Sequence, residues 1–126
     1  MPAQRFHRES PDALTKRASL ILRRLLRAYP EATVALNHQS PLELLIATIL
    51  SAQCTDARVN IVTKDLFKKY RIANDYAAAN PQELEQYIRS TGFYHTKAKN
   101  IINCCKVLAE QYKGNVPDSM EQLTQL

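Results

Sequence analysis

Behind the tetrapeptide Ser40-Pro41-Leu42-Glu43, the stretch from Leu42 to about Gln53 is apolar on nearly every side, through Leu44, Leu45, Ile46, Ala47, Ile49, Leu50 and Ala52. A serine cap, a proline at the first helical position and a glutamate at the third form a capping box, so the stretch begins as a helix. A helix that is apolar all round needs neighbours on all sides, which puts it at the centre of a bundle. Ser51 and Gln53 then mark the place where the buried helix reaches the surface.

The rest of the chain supplies the neighbours. From about Leu14 to Tyr29, the residues Leu14, Ala18, Ile21, Leu22, Leu25, Leu26 and Tyr29 recur at three- and four-residue steps, opposite a basic face, until Pro30 ends the helix. Thr55 or Asp56 caps a helix carrying Val59, Val62, Leu66, Phe67 and Tyr70. The cations Lys64, Lys68, Lys69 and Arg71 toward its end suit the helix dipole and need no ligand. Asn80-Pro81-Gln82-Glu83 repeats the start signal and opens a short helix through Leu84, Tyr87 and Ile88, broken by Gly92. A long helix follows from about His95 to Tyr112, on Ala98, Ile101, Ile102, Cys105, Leu108, Ala109 and Tyr112, closing at Lys113-Gly114. A last start lies at Pro117-Asp118-Ser119-Met120-Glu121, with Asp118 as cap and Glu121 as its partner. Gly92 and Gly114 are the only glycines, too few for a fold of hairpins, and no period-2 apolar alternation is sustained, so the class is all-α. The organisation expected is a basic leader over 1–13, an N-terminal helix over 14–30 and a helical domain over 31–126. That domain is incomplete, because Leu123 and Leu126 lack a closing element, which predicts that the native sequence continues.

Charge is uneven. Residues 1–30 hold seven basic and two acidic side chains and residues 31–126 hold ten of each, so the net charge of +5 sits in the first quarter. Such a segment meets nucleic acid or an anionic membrane, or is merely a solvated face. No stretch has the ~18 apolar residues of a membrane span, and no apolar signal-peptide core is present. The cysteines Cys54, Cys104 and Cys105 show no metal-binding spacing and are expected as reduced thiols in a cytosolic protein.

Three segments carry a resemblance over about residues 20–126: Ser40-Pro41-Leu42-Glu43-Leu44-Leu45 running into Leu50-Ser51-Ala52-Gln53-Cys54-Thr55-Asp56, then Thr91-Gly92-Phe93-Tyr94-His95-Thr96-Lys97-Ala98, and Asn115-Val116-Pro117. In this order and spacing they resemble the endonuclease III family of base-excision glycosylases within the helix-hairpin-helix superfamily. The Ser-Ala-Gln-x-Thr-Asp form is more similar to the oxidised-pyrimidine enzymes than to the adenine-mismatch branch. The resemblance implies most of a six-helix barrel domain plus an N-terminal helix that joins a second lobe. It also implies that Gln53 is a plug filling the space of a flipped base and Phe93 a wedge between bases of the opposite strand. By the same resemblance Tyr94, His95, Thr96 and Lys97 approach the DNA backbone, and Asp56 fixes the loop after the plug. The chemistry agrees: extruding a base costs a few kcal/mol of stacking, glutamine offers donor and acceptor to an orphaned base, and a helix N-terminus presents N–H groups to phosphate. Residue by residue, a blander alternative stands beside each: a solvated helix end for Gln53, a core aromatic for Phe93, a polar helix-start residue for His95.

The family's remaining apparatus has no counterpart here. A Leu-Pro-Gly-Val-Gly-x-Lys-Thr hairpin with the nucleophilic lysine, a later aspartate and four cysteines holding a four-iron four-sulfur cluster all lie beyond the last matched segment. No lysine matches the nucleophile, and Lys97, Lys99 and Lys113 are structural or phosphate-facing candidates. The resemblance therefore implies a DNA glycosylase and abasic-site lyase acting on oxidised pyrimidines in duplex DNA. It would be a bacterial cytoplasmic, nucleoid-associated monomer, represented by a portion without catalytic residues, metal ligands or cofactor of its own. The competing readings are a non-catalytic helical DNA-binding module and a helical scaffold docking through its basic helix.

Overall fold

The computed structural model describes residues 8–126; the first seven positions of the expected leader, Arg5 among them, lie outside the described residues. The chain divides into two units, 1–33 and 34–126. The first unit contains helix α1, Pro11–Ala28. Ser10 caps it by accepting the Ala13 N–H at 3.2 Å, with Pro11 at the first helical position. Residues 11–13 therefore belong to the helix and not to the leader. The Ser-Pro signal is the same one that opens the central helix. Arg17 grips Glu9 through its guanidinium fork, Nη2 to Oε2 at 2.7 Å, and these hydrogen bonds hold the Glu9 carboxyl below its ordinary pKa.

The second unit runs α2 (Pro41–Leu50), α3 (Asp56–Lys69), α4 (Ala73–Ala77), α5 (Pro81–Ile88), a 3-10 turn (Arg89–Thr91), α6 (Tyr94–Gln111) and α7 (Met120–Leu123). Its starts are set by side-chain caps that each satisfy one orphan N–H. Ser40 Oγ accepts the Glu43 N–H at 3.2 Å, Thr55 Oγ1 the Arg58 N–H at 3.2 Å and Asn80 Oδ1 the Glu83 N–H at 3.1 Å. The Glu43 carboxylate reaches back to the Gln39 N–H at 2.6 Å, one residue beyond the capping-box partner. The start of the last helix needs correction. Ser119, not Asp118, caps α7, accepting the Gln122 N–H at 3.2 Å. Helix α4, too short for periodicity to show, is held by Asp75, whose carboxylate accepts the Arg71 and Ile72 N–H groups at 2.8 and 3.1 Å.

The central helix is where its composition puts it. Ile46, Ala47 and Leu50 are wholly buried, with α3 and α6 packed on α2 and with α4 and α5 packed on α6. Ala98, Ile101, Ile102, Cys105 and Leu108 form the inner stripe of α6. Each fully buried aliphatic side chain here contributes about 1.5–3 kcal/mol. Tyr70 stacks on Tyr76 at 5.0 Å and meets the edge of Tyr87 at 5.9 Å. Burial pushes the Cys105 thiol up to about 12 and raises that of the partly buried Cys104, the direction expected for thiols in apolar surroundings. Helix α2 ends at Leu50, short of the expected limit, and leaves Gln53 in the loop that follows.

In urea unfolding, Ile46→Ala should lower the stability by roughly 2–5 kcal/mol and Ser40→Ala by about 1 kcal/mol. Equal losses would contradict the placement of Ile46 at the centre of the core.

Candidate functional site

Two loops leave the core at the end of α2 and at the end of the 3-10 turn. Gln53 stands in the first at φ 54° and Phe93 in the second at φ 47°, both in the left-handed region. For a side chain larger than glycine this region is disfavoured by roughly 1–2 kcal/mol, and such outliers concentrate where ligands are met. Both residues are exposed, Phe93 at 70%. An exposed aromatic in an unfavourable backbone conformation is not a core residue, so the core-aromatic alternative for Phe93 fails. Gly92 beside it takes φ 75° and ψ 161°, a combination essentially confined to glycine.

Lys97 joins the two loops. It is 5% exposed, and its Nζ donates at 2.9 Å to the Leu50 carbonyl and at 2.9 Å to the Thr91 carbonyl. Of the two roles expected for Lys97, structural or phosphate-facing, this geometry gives it the structural one, because the ammonium points into the protein. Its position explains this: Lys97 lies one turn ahead of Ile101 and two turns ahead of Cys105 on the buried stripe of α6. Burial pulls the amine below the ordinary lysine pKa. The two carbonyls are the last of α2 and of the 3-10 turn, where unpaired acceptors gather and a cation suits the dipole.

The other candidates flank these loops. Tyr94 is half-buried against the core, with the Arg89 guanidinium 5.7 Å from its ring centre and the His95 ring 4.2 Å away. His95 Nδ1 lies 2.9 Å from a Glu85 oxygen, which gives the exposed ring a partner on α5. Thr96 is exposed in the first turn of α6. Asp56 is exposed at the start of α3, while the capping hydrogen bond there comes from Thr55. The start of α6 differs from those of α1, α2, α3 and α5: Phe93 occupies its cap position and supplies no side-chain acceptor. The leading N–H groups of an 18-residue helix are left for water or a ligand.

Among the described residues, no three His, Cys, Asp or Glu side chains come together, and Cys105 is sealed in the core. These residues do not fit an iron–sulfur cluster. No described helix is long and apolar enough to cross a membrane. An open cleft of about 630 Å³, lined by Asn37, His38, Asn60, Lys64 and Arg71 among others, includes neither Gln53 nor Phe93.

A family model described as HhH-GPD superfamily base excision DNA repair protein matches residues 46–123. Over 111 residues the chain is 51% identical to endonuclease III of Synechocystis sp., covering 88% of this chain and 51% of that protein. It is 49% identical over 98 residues to endonuclease III of Bacillus subtilis, covering 78% and 45% of the two chains. With endonuclease III of Escherichia coli the identity is 44% over 109 residues, covering 84% and 50%. The chain spans about half the length of the curated relatives it matches. Among solved structures it superposes on a non-covalent endonuclease III–DNA complex with a TM-score of 0.79 at 48% identity, covering 88% of this chain and 52% of that one. A thermostable thymine-DNA glycosylase, with a TM-score of 0.79 at 20% identity, covering 90% and 54%, shares the fold.

If the left-handed geometry is intrinsic to the Gly92–Phe93 loop, Phe93→Gly should be more stable than Phe93→Ala by roughly 1 kcal/mol, since both remove the same exposed ring. Thermal unfolding of the two variants checks this; an alanine variant at least as stable as the glycine variant contradicts it.

Proposed function

Because the chain belongs to the HhH-GPD superfamily of base excision DNA repair proteins, we propose that it is the damage-probing part of a DNA N-glycosylase and abasic-site lyase acting on oxidised pyrimidines in duplex DNA. The observation that carries this reading is the pair of exposed residues, Gln53 and Phe93, both held in the left-handed region on two loops tied to one buried lysine. A base inside a duplex is out of reach of an enzyme until it is swung out of the stack, at a cost of a few kcal/mol. Gln53 fills the space left behind, and its amide offers both a donor and an acceptor to the base that lost its partner. Phe93 enters between neighbouring bases, where an apolar ring unstacks them and bends the duplex. The uncapped start of α6 receives a phosphate through backbone N–H groups, with Lys99 adding charge and Thr96 a hydroxyl.

Cleavage of the glycosidic bond by a lyase-type glycosylase calls for an amine free to attack the sugar C1′ and form a Schiff base. The buried Lys97 amine is bound to two carbonyls and cannot play that part. Lys99 and Lys113 carry no feature that prepares them for it. In this reading the nucleophile, its assisting aspartate and any iron–sulfur cluster belong to residues outside this chain. The chain by itself binds and probes but does not cut. The setting that goes with it is the bacterial cytoplasm at the nucleoid, with one copy acting on duplex DNA that contains damaged pyrimidines or abasic sites.

Binding titrations test the reading. The chain should prefer a duplex with a stable abasic-site analogue over the intact duplex, and Gln53→Ala or Phe93→Ala should each weaken the damaged complex on the order of tenfold, as expected for loss of one stacking or filling contact. Unchanged affinity in both variants removes the plug and the wedge. In parallel, borohydride reduction with a true abasic duplex should trap no covalent adduct; an adduct contradicts the assignment of the nucleophile to other residues.

A further inference from the structure

We propose that Lys97 is a positioning residue that sets the spacing of the plug loop and the wedge loop, so that Gln53 and Phe93 act on the duplex as one rigid unit. The inference rests on the functional reading above and adds to it a residue that does not touch DNA.

The geometry is unusually specific. Leu50 is the last residue of α2, and its carbonyl has lost its helical partner because the Cys54 N–H turns to the Ser51 carbonyl at 3.1 Å. Thr91 closes the 3-10 turn, is itself buried, and anchors its own hydroxyl by donating to the Ile88 carbonyl at 2.7 Å. These two carbonyls are 41 positions apart in the chain, yet both lie 2.9 Å from a single ammonium, so their oxygens are no further apart than twice that distance. Gln53 follows three residues after the first carbonyl and Phe93 two residues after the second. Few free torsions separate the clamp from either probing side chain.

Stability alone does not account for a lysine here. Burying an ammonium among neutral carbonyls, with no carboxylate bonded to it, is a costly way to fill space, and an unbranched apolar side chain would fill the same volume. What an apolar side chain cannot do is fix the distance between two backbone oxygens. The ammonium does so because its donors stand in a set geometry and each hydrogen bond to a charged donor is stronger than a neutral one. The tie also restrains two loops whose left-handed residues would otherwise relax toward commoner conformations.

Lys97→Met tests this, since methionine keeps the length and packing without the donors. The unaltered chain is first titrated with intact and abasic-analogue duplexes. If it shows no preference for the abasic duplex, the functional reading fails and this inference with it. If the preference is present, Lys97→Met should reduce it about tenfold while leaving affinity for intact duplex and its salt dependence unchanged. A phosphate-facing lysine would instead weaken both duplexes alike and lower the salt slope by about one, and that result overturns the proposal while sparing the functional reading. So does a Lys97→Met variant that keeps the full preference. In a double-mutant cycle, Lys97→Met combined with Phe93→Ala should lose little beyond the worse single variant, because both remove the same inserted ring; additive losses contradict it. Should Lys97→Met fail to fold, the unaltered chain still decides: its Lys97 ammonium protons should give a slowly exchanging signal in 15N-resolved spectra that persists when abasic duplex binds. A signal that is absent, or lost on binding, overturns the proposal.

Discussion

A helix with no polar face must be enclosed, and the enclosure of α2 organises the second unit. Ile46, Ala47 and Leu50 are wholly removed from solvent, which requires α3 and α6 to pack on either side and α4 and α5 to close over α6. The same constraint fixes where α2 can end. Its final carbonyl, on Leu50, is deep enough to need a partner and close enough to the surface that three further residues bring Gln53 into solvent. The buried centre of the bundle and the exposed tip of the candidate site are thus consecutive parts of one segment.

Lys97 turns that coincidence into a device. A cation placed among the ends of α2 and the 3-10 turn satisfies two carbonyls that the helices leave unpaired, and it couples two loops far apart in sequence. The loops are unalike in composition, one built on Gln53 with no glycine and the other on Gly92-Phe93, yet both present a bulky residue at positive φ. Local preference would not hold either conformation. Tertiary restraint does, and in the proposed function such a restraint pre-orders the surface, so that less disorder is lost on binding.

Much of this was legible in the sequence. The start signals at Ser40, Thr55 and Asn80 are capped by those residues, and the inner stripe of α6 follows the apolar spacing of Ala98, Ile101, Cys105 and Leu108. Ser10-Pro11 carried the same signal as Ser40-Pro41, but in polar surroundings with no apolar run directly behind it. Helix α4 spans five residues, less than two turns, and is fixed by one carboxylate; periodicity has nothing to act on there. At the site, the identity of Gln53 and Phe93 was readable while their backbone conformation was not, since neither glutamine nor phenylalanine announces positive φ. Lys97 stayed open between a structural and a phosphate-facing role, because a lysine in the first turn of a helix suits either. Its register, one turn before Ile101, was the signal that it faces inward.

In the proposed function the two loops enter a duplex together. A duplex carrying an abasic-site analogue, with the fluorescent base 2-aminopurine in the opposite strand facing the gap, reports this directly, because its emission rises when the base loses its stacked neighbours. Binding of the chain should raise the emission, and the rise should require Phe93 and Gln53. Emission that stays quenched at saturating protein would mean that the chain lies on the duplex without entering it, and would contradict the account.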